Sequence, residues 1–137
     1  MDGAPTDKDP AALATPVSAV FHQAKCVDVD TFVSEFLNKL DWRSQKTVIV
    51  LDNQKQVYGI ITRQDIVNMD RRQMNPRATR AWEICSHHVI EISPDASLSE
   101  AIETMSRHHI HHLVVTDKEQ FKGVISALDI TEYFSQK

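Results

Sequence analysis

Gly123-Val124-Ile125-Ser126-Ala127-Leu128-Asp129 is the stretch on which the reading of this chain turns. A short apolar run ends on a hydroxyl, and an aspartate follows three residues later, where a helix would start. The same arrangement stands 64 residues earlier as Gly59-Ile60-Ile61-Thr62-Arg63-Gln64-Asp65. At that offset residues 47–67 and 111–131 align without a gap. Six of these 21 positions are identical: Val50/Val114, Gln56/Gln120, Gly59/Gly123, Ile61/Ile125, Asp65/Asp129 and Ile66/Ile130. Thr62/Ser126 and Ile49/Leu113 keep their chemistry. Unconstrained loops have no reason to hold such a register, so the chain reads as two copies of one supersecondary unit.

Outward from these anchors, residues 48–51 and 113–115 are continuous β-rich apolar runs, as strands buried on both faces would be. Short polar turns at 52–55 and 116–119 lead back into apolar runs at 57–61 and 121–125, which predicts two antiparallel hairpins. Final helices start near Asp65 and Asp129. Upstream, Phe32, Val33, Phe36, Leu37 and Leu40 draw one apolar stripe, which predicts a long helix beginning near Asp30. Its counterpart has a marked start: Ser97-Leu98-Ser99-Glu100 is a capping box, followed by the stripe Leu98, Ala101, Ile102 and Met105. First strands are expected near 25–29 and 89–92, each entered from a lead segment, 16–21 and 79–84. Each copy therefore reads strand–helix–strand–strand–helix, a mixed α/β (α+β) class. The expected organisation is a mobile tail at 1–15, a first repeat at 16–70, a linker at 71–80 and a second repeat at 81–137. Pro76 stops the preceding helix. The linker carries Arg71, Arg72 and Arg77, with Arg80 at its end; they read as a solvated basic face or as a contact for phosphate or an acidic partner.

Composition bounds the rest. Each repeat is small, and units of that size bury little surface alone, so a shared core is expected within the 137 residues. A net charge of −4 argues against bulk attraction to nucleic acid or an anionic membrane. The two cysteines, Cys26 and Cys85, give no disulfide framework and read as small apolar thiols. No apolar run approaches the ~18 residues of a membrane span. The polar first 14 residues carry three aspartates and do not read as a secretory leader. A soluble, cytoplasmic protein is expected.

The repeat resembles the CBS domain, and two in tandem resemble a Bateman module. The resemblance is carried by residues 112–117, by Gly123 to Asp129 and by Ser97-Leu98-Ser99-Glu100-Ala101-Ile102. The first copy matches through residues 47–52 and Gly59 to Asp65. It covers roughly residues 17–135 and implies two β-α-β-β-α repeats packed as a pseudo-twofold pair.

From the residues alone, Thr62/Asp65 and Ser126/Asp129 have two readings. A hydroxyl three residues before a carboxylate is a helix N-cap. A helix start after a tight strand end is also an anion site, and an aspartate beside it can accept from a ribose. The resemblance implies the second. Thr62 and Ser126 would contact phosphate, Asp65 and Asp129 would hold ribose, and Val89 and Ile90 would line an adenine slot. Gln64 and Leu128 stand where some nucleotide-binding relatives carry a hydroxyl or a lysine, so a polyphosphate is held less firmly beside Leu128.

Histidines are the other feature, in Arg107-His108-His109-Ile110-His111-His112 and at His87-His88. A helix end running into a strand sends them in different directions, and no cysteine or carboxylate completes a zinc set, so no metal is expected. His108 and His109 suit a helix C-terminus. Related kinase-regulating modules carry a His-Arg pair facing the phosphates where His111-His112 stands. The resemblance thus implies a phosphate contact whose charge grows toward pH 6, and a second site better equipped for phosphate than the first, which has Thr47-Val48 there. No P-loop, no nucleophile elbow and only three glycines occur, so no enzyme is expected. The expected function is that of a stand-alone regulatory pair. It would bind AMP, ADP, ATP or S-adenosylmethionine, require no cofactor, form a homodimer and act on a regulated protein. The alternative is a dimerisation scaffold with empty clefts.

Overall fold

A computed structural model describes residues 10–41 and 47–135. Its elements run α1 (Pro10–Leu13), a 3-10 turn (Val17–Ala19), β1 (Lys25–Asp28), α2 (Ser34–Leu37), β2 (Thr47–Leu51), β3 (Val57–Thr62), α3 (Arg63–Arg71), α4 (Ala81–Ile84), β4 (Glu91–Ile92), α5 (Leu98–His108), β5 (His112–Asp117), β6 (Gln120–Ser126) and α6 (Ala127–Ser135). Both repeats show the expected β-α-β-β-α order in a mixed α+β fold. The described residues fall into two compact units, one of residues 10–23 and 90–135, the other Ala24–Val89.

In the Ala24–Val89 unit the sheet order is β1-β2-β3, with β1 parallel to β2 and β2 antiparallel to β3. Thr47 to Val50 are all buried, so the continuous apolar run is the central strand, covered on both faces. Asp52 closes the hairpin: its Oδ1 accepts the N–H groups of Gln54 at 2.8 Å and Gln56 at 3.0 Å. The core gathers Val33, Phe36, Val48, Val50, Ile61 and Met69. The other unit repeats the plan as β4-β5-β6, with Leu98, Met105, Leu113, Val115, Ile125 and Ile130 at its centre.

The two helices after the first strands differ. Only four residues of the expected long first helix, Ser34 to Leu37, are α-helical, and Val33 at its cap position makes no side-chain bond. The apolar stripe is nevertheless in place: Val33 and Phe36 are buried and Leu37 and Leu40 pack against them. In α5, eleven residues long, Ser97 Oγ accepts from the Glu100 N–H at 3.1 Å. It ends with His109 in the left-handed conformation (φ 56°, ψ 44°), where Ile110 N–H reaches back to the Met105 carbonyl at 3.0 Å.

The lead segments are exchanged. Residues 16–22 pack on the second repeat. Val17 N–H donates to Ala96 O at 2.7 Å, Ser18 N–H to Pro94 O at 2.9 Å, and His22 bridges Val124. Ala81 to Ser86 pack on the first repeat instead: Ala81 N–H donates to Thr31 O at 2.8 Å, and Ser86 bridges Ile60. Each bridge occupies the free edge of an outer strand. Those edges carry the two anchor glycines. A Cβ on Gly59 would stand 2.7 Å from both Cys85 Sγ and Ser86 O, and one on Gly123 would stand 2.5 Å from His22 O and 2.6 Å from Phe21 Cδ1. The glycines are there so that the lead backbone can cross.

Three further readings change. The expected tail lies outside the described residues up to position 9, but residues 10–15 are ordered: α1 forms, Ala12 is buried, and Thr15 O accepts from Leu98 N–H at 2.9 Å. The first strand of the second repeat is shorter than expected, Glu91–Ile92. Arg80 is no loose member of a basic linker, since its guanidinium donates to Asp30 O at 2.6 Å and stacks 4.3 Å above the Phe32 ring.

Candidate functional site

The strand-to-helix corners place both hydroxyl–carboxylate pairs at the start of a last helix. At the first corner Thr62 N–H donates to Asp65 Oδ2 at 2.7 Å, and the Thr62 hydroxyl donates to the same oxygen at 3.1 Å. At the second, Ser126 N–H donates to Asp129 Oδ2 at 2.8 Å while Asp129 N–H donates to Ser126 Oγ at 3.0 Å. The capping reading therefore holds at both corners. Both hydroxyl oxygens face the backbone N–H of their aspartate, and they differ in the proton: Thr62 directs its own at Asp65, whereas that of Ser126 is available to a ligand.

Each aspartate lines a cleft between the last helix and the exchanged lead segment. A cleft of about 180 Å³ holds Asp65, Met69, Arg72, Glu83, Ile84 and Cys85. Its counterpart, about 300 Å³, holds Ala19, Val20, Asp129, Glu132 and Tyr133. Asp65/Asp129, Met69/Tyr133, Glu83/Ala19 and Ile84/Val20 are pairs at the 64-residue offset, so the clefts are copies. Burial, followed by the neighbouring Asp65 charge, pushes the Cys85 thiol up to about 11, which keeps it protonated and unreactive.

At the second corner the sequence reading missed one residue. His22 Nδ1 lies 2.7 Å from Asp129 Oδ2, an ion pair when the ring is protonated. The hydrogen bond to Asp129 raises the histidine above its ordinary value; burial opposes this and the aspartate's charge adds to it. Burial pushes Asp129 up, but the bonds from His22 and Ser126 and the histidine's charge together hold it below the usual carboxylate value. The signal that points to His22 is the repeat offset: His22 and Ser86 are partners at 64 residues and bridge partner residues, Val124 and Ile60. Pairing the leads as 16–21 with 79–84, one residue out of register, hides this.

The other expected site residues are partly gathered. His112 opens β5 directly opposite Ser126. His111, exposed, accepts from the Ala127 N–H through its carbonyl at 2.8 Å. Ile90, half-buried against the same core, accepts from Val114 N–H at 3.0 Å. Val89 is the last residue of the other unit. Burial and then the His111 charge push His112 below its ordinary value, so it gains charge at a more acidic pH than a free histidine. Among the described residues no three His, Cys, Asp or Glu side chains are grouped to hold a metal ion, and no helix is long and apolar enough to cross a membrane.

The CBS domain family model matches residues 17–71 and 81–136. Among curated proteins, 5'-AMP-activated protein kinase subunit gamma-3 of Homo sapiens is 31% identical over 85 residues, 56% of this chain and 17% of that protein. The chain spans between 14% and 29% of the length of the curated relatives it matches. Two solved structures share the fold. One is a CBS domain protein from Pyrobaculum aerophilum complexed with AMP (TM-score 0.73, 19% identity, 83% of this chain and 88% of that one). The other is the CBS domain pair of protein MJ0100 in complex with 5'-methylthioadenosine and S-adenosyl-L-methionine (TM-score 0.74, 20% identity, 88% and 96%).

Proposed function

The chain belongs to the CBS domain family, with two copies in tandem, and from that premise we propose that it is a regulatory module binding an adenosine-containing ligand at the Asp65 and Asp129 clefts. The observation that carries this is the twice-built corner. In both copies a carboxylate stands at a helix start, beside an open cleft, with a hydroxyl three residues before it. Asp65 and Asp129 accept from the ribose. Ser126, and Thr62 once its hydroxyl turns, join the positive ends of the helix starts in holding phosphate. Val89 and Ile90 contact adenine, and His111 and His112 the phosphates. Binding acts by favouring one conformational or oligomeric state over another, which requires unequal affinity for the two. No catalysis and no cofactor are part of this reading. The output lies in a regulated protein, in the cytoplasm. AMP and S-adenosyl-L-methionine are bound in complexes of the two fold neighbours and head the panel to be tested. Calorimetric titration of the chain with AMP, ADP, ATP and S-adenosylmethionine is the test. Saturable binding of at least one, abolished by Asp65→Ala combined with Asp129→Ala, is expected; four flat titrations of folded protein would overturn it.

A second reading, a dimerising scaffold, is favoured by one feature. A groove of about 480 Å³ between α5 and α6 is lined by Ile102, Met105, Ala127, Ile130 and Phe134. Ile102 is 38% exposed, and Leu128, near the start of α6, is 53% exposed. A homodimer using this face is compatible with either reading. Sedimentation of wild type and Ile102→Glu separates a dimer from a monomer.

A further inference from the structure

The two clefts are copies, yet their aspartates are differently occupied. A carboxylate oxygen has about two acceptor directions. Asp129 Oδ2 uses both, one for Ser126 N–H at 2.8 Å and one for the His22 ring at 2.7 Å. A ribose diol is best held by both oxygens of one carboxylate, so a ligand at this cleft must displace His22 or be content with Oδ1. At Asp65 the second acceptor direction of Oδ2 is taken by the Thr62 hydroxyl at 3.1 Å, a rotor that turns away freely and then donates to phosphate. Ser86, the offset partner of His22, carries no imidazole; its hydroxyl oxygen accepts from His88 N–H at 3.2 Å.

We propose that His22 is a built-in competitor for the ligand's ribose at Asp129, making the two clefts fill in order, Asp65 first and Asp129 once the imidazole is released. This rests on the nucleotide-binding reading and adds to it a site order and a pH dependence. The groups facing the lead segment are few. From α6 they are Asp129, bonded to the ring, and Glu132 and Tyr133, which line the same cleft. From β6 it is Lys122, whose carbonyl accepts from the Gln23 side chain at 3.0 Å. The competitor is strongest when protonated, because the contact is then a charge-assisted hydrogen bond. Rising pH therefore opens the Asp129 cleft. This is opposite in sign to a phosphate contact from His111-His112, which weakens as pH rises.

Calorimetric titration with AMP at pH 6 and 8, on wild type, His22→Ala, His22→Gln and Asp65→Asn, joined to NMR titration of the histidine rings, tests it. In wild type the site that survives Asp65→Asn should tighten from pH 6 to pH 8 relative to the same site in His22→Ala, by about threefold or more. In His22→Ala and His22→Gln it should bind tighter at pH 6 than in wild type. The His22 ring should titrate above 6.5 in the free protein and return toward it with saturating AMP. Equal or weaker affinity in both His22 variants, or a His22 titration that AMP leaves unmoved while AMP binds, would overturn the competitor and leave nucleotide binding standing. An ordinary His22 titration in the free protein would overturn it without any ligand. Flat titrations in every variant would remove the nucleotide reading itself, and this inference with it.

Discussion

Phe21-His22 and Cys85-Ser86 occupy the same place, each crossing an outer strand beside an anchor glycine, and they leave different clefts behind. At Gly123 an aromatic ring and a histidine fill the crossing, and the imidazole is bound to Asp129 at 2.7 Å. At Gly59 a thiol and a serine fill it, and Asp65 is bonded within its own corner. A repeated fold thus fixes where the carboxylate sits and leaves its occupancy to the segment delivered from the other copy. Similarity between the copies is a property of the corner, and difference is a property of the lead.

The largest break in this comparison is in the core. Phe36, 1% exposed, anchors the short uncapped helix, so Phe36→Ala should cost about 3–5 kcal/mol and lower the urea midpoint accordingly. Next come the crossings. Gly59→Ala and Gly123→Ala should each cost about 1–3 kcal/mol, since a backbone carbonyl stands in the way at both, and somewhat more at Gly123, where the second obstacle is an aromatic ring, than at Gly59, where it is a thiol that can turn. Equal costs would mean that the two leads are held with equal looseness. The caps follow. Ser126→Ala and Thr62→Val each remove the acceptor facing the N–H of their aspartate and should each cost about 1 kcal/mol.

The smallest effect is the most diagnostic. The His22–Asp129 pair is half-exposed, so His22→Ala should cost no more than about 1 kcal/mol. Its pH window follows from the two shifts. The histidine's folded value lies above 6.5, so its stabilisation is complete below pH 6.5 and is lost as pH rises through the folded value. The aspartate's folded value lies below 3.8, so its stabilisation is present above pH 3.8 and is lost as pH falls through the folded value. Wild type and His22→Ala should therefore differ most between those limits and converge as pH rises above the histidine's folded value, read from its NMR titration. A difference that persists once the ring is neutral would assign His22 a packing role.

Much of this was legible in the sequence because it is local. The strict offset found both hairpins, both corners and Gly59/Gly123, since strand alternation and turn chemistry act over a few residues. The exchange of leads was not legible: residues 16–22 carry an apolar pattern that says they will be buried but not against which copy. The shortness of α2 is not legible because an apolar stripe reports which face is buried and not how many residues of it are helical. His22 was missed for the same reason as the exchange, since its partner stands 107 residues away. His111 and His112 were located at the second corner, and burial gives His112 a more acidic titration than its type suggests.

Thermal unfolding with and without saturating AMP, for wild type and for the Asp65→Ala/Asp129→Ala double variant, tests the central claim most directly. At a hundred times its dissociation constant a ligand stabilises by about 2.7 kcal/mol, roughly 3–6 °C for a chain of this size. The account predicts that rise in wild type and none in the double variant. An equal rise in both would place AMP away from the two corners, and no rise in either would leave the carboxylates as helix caps alone.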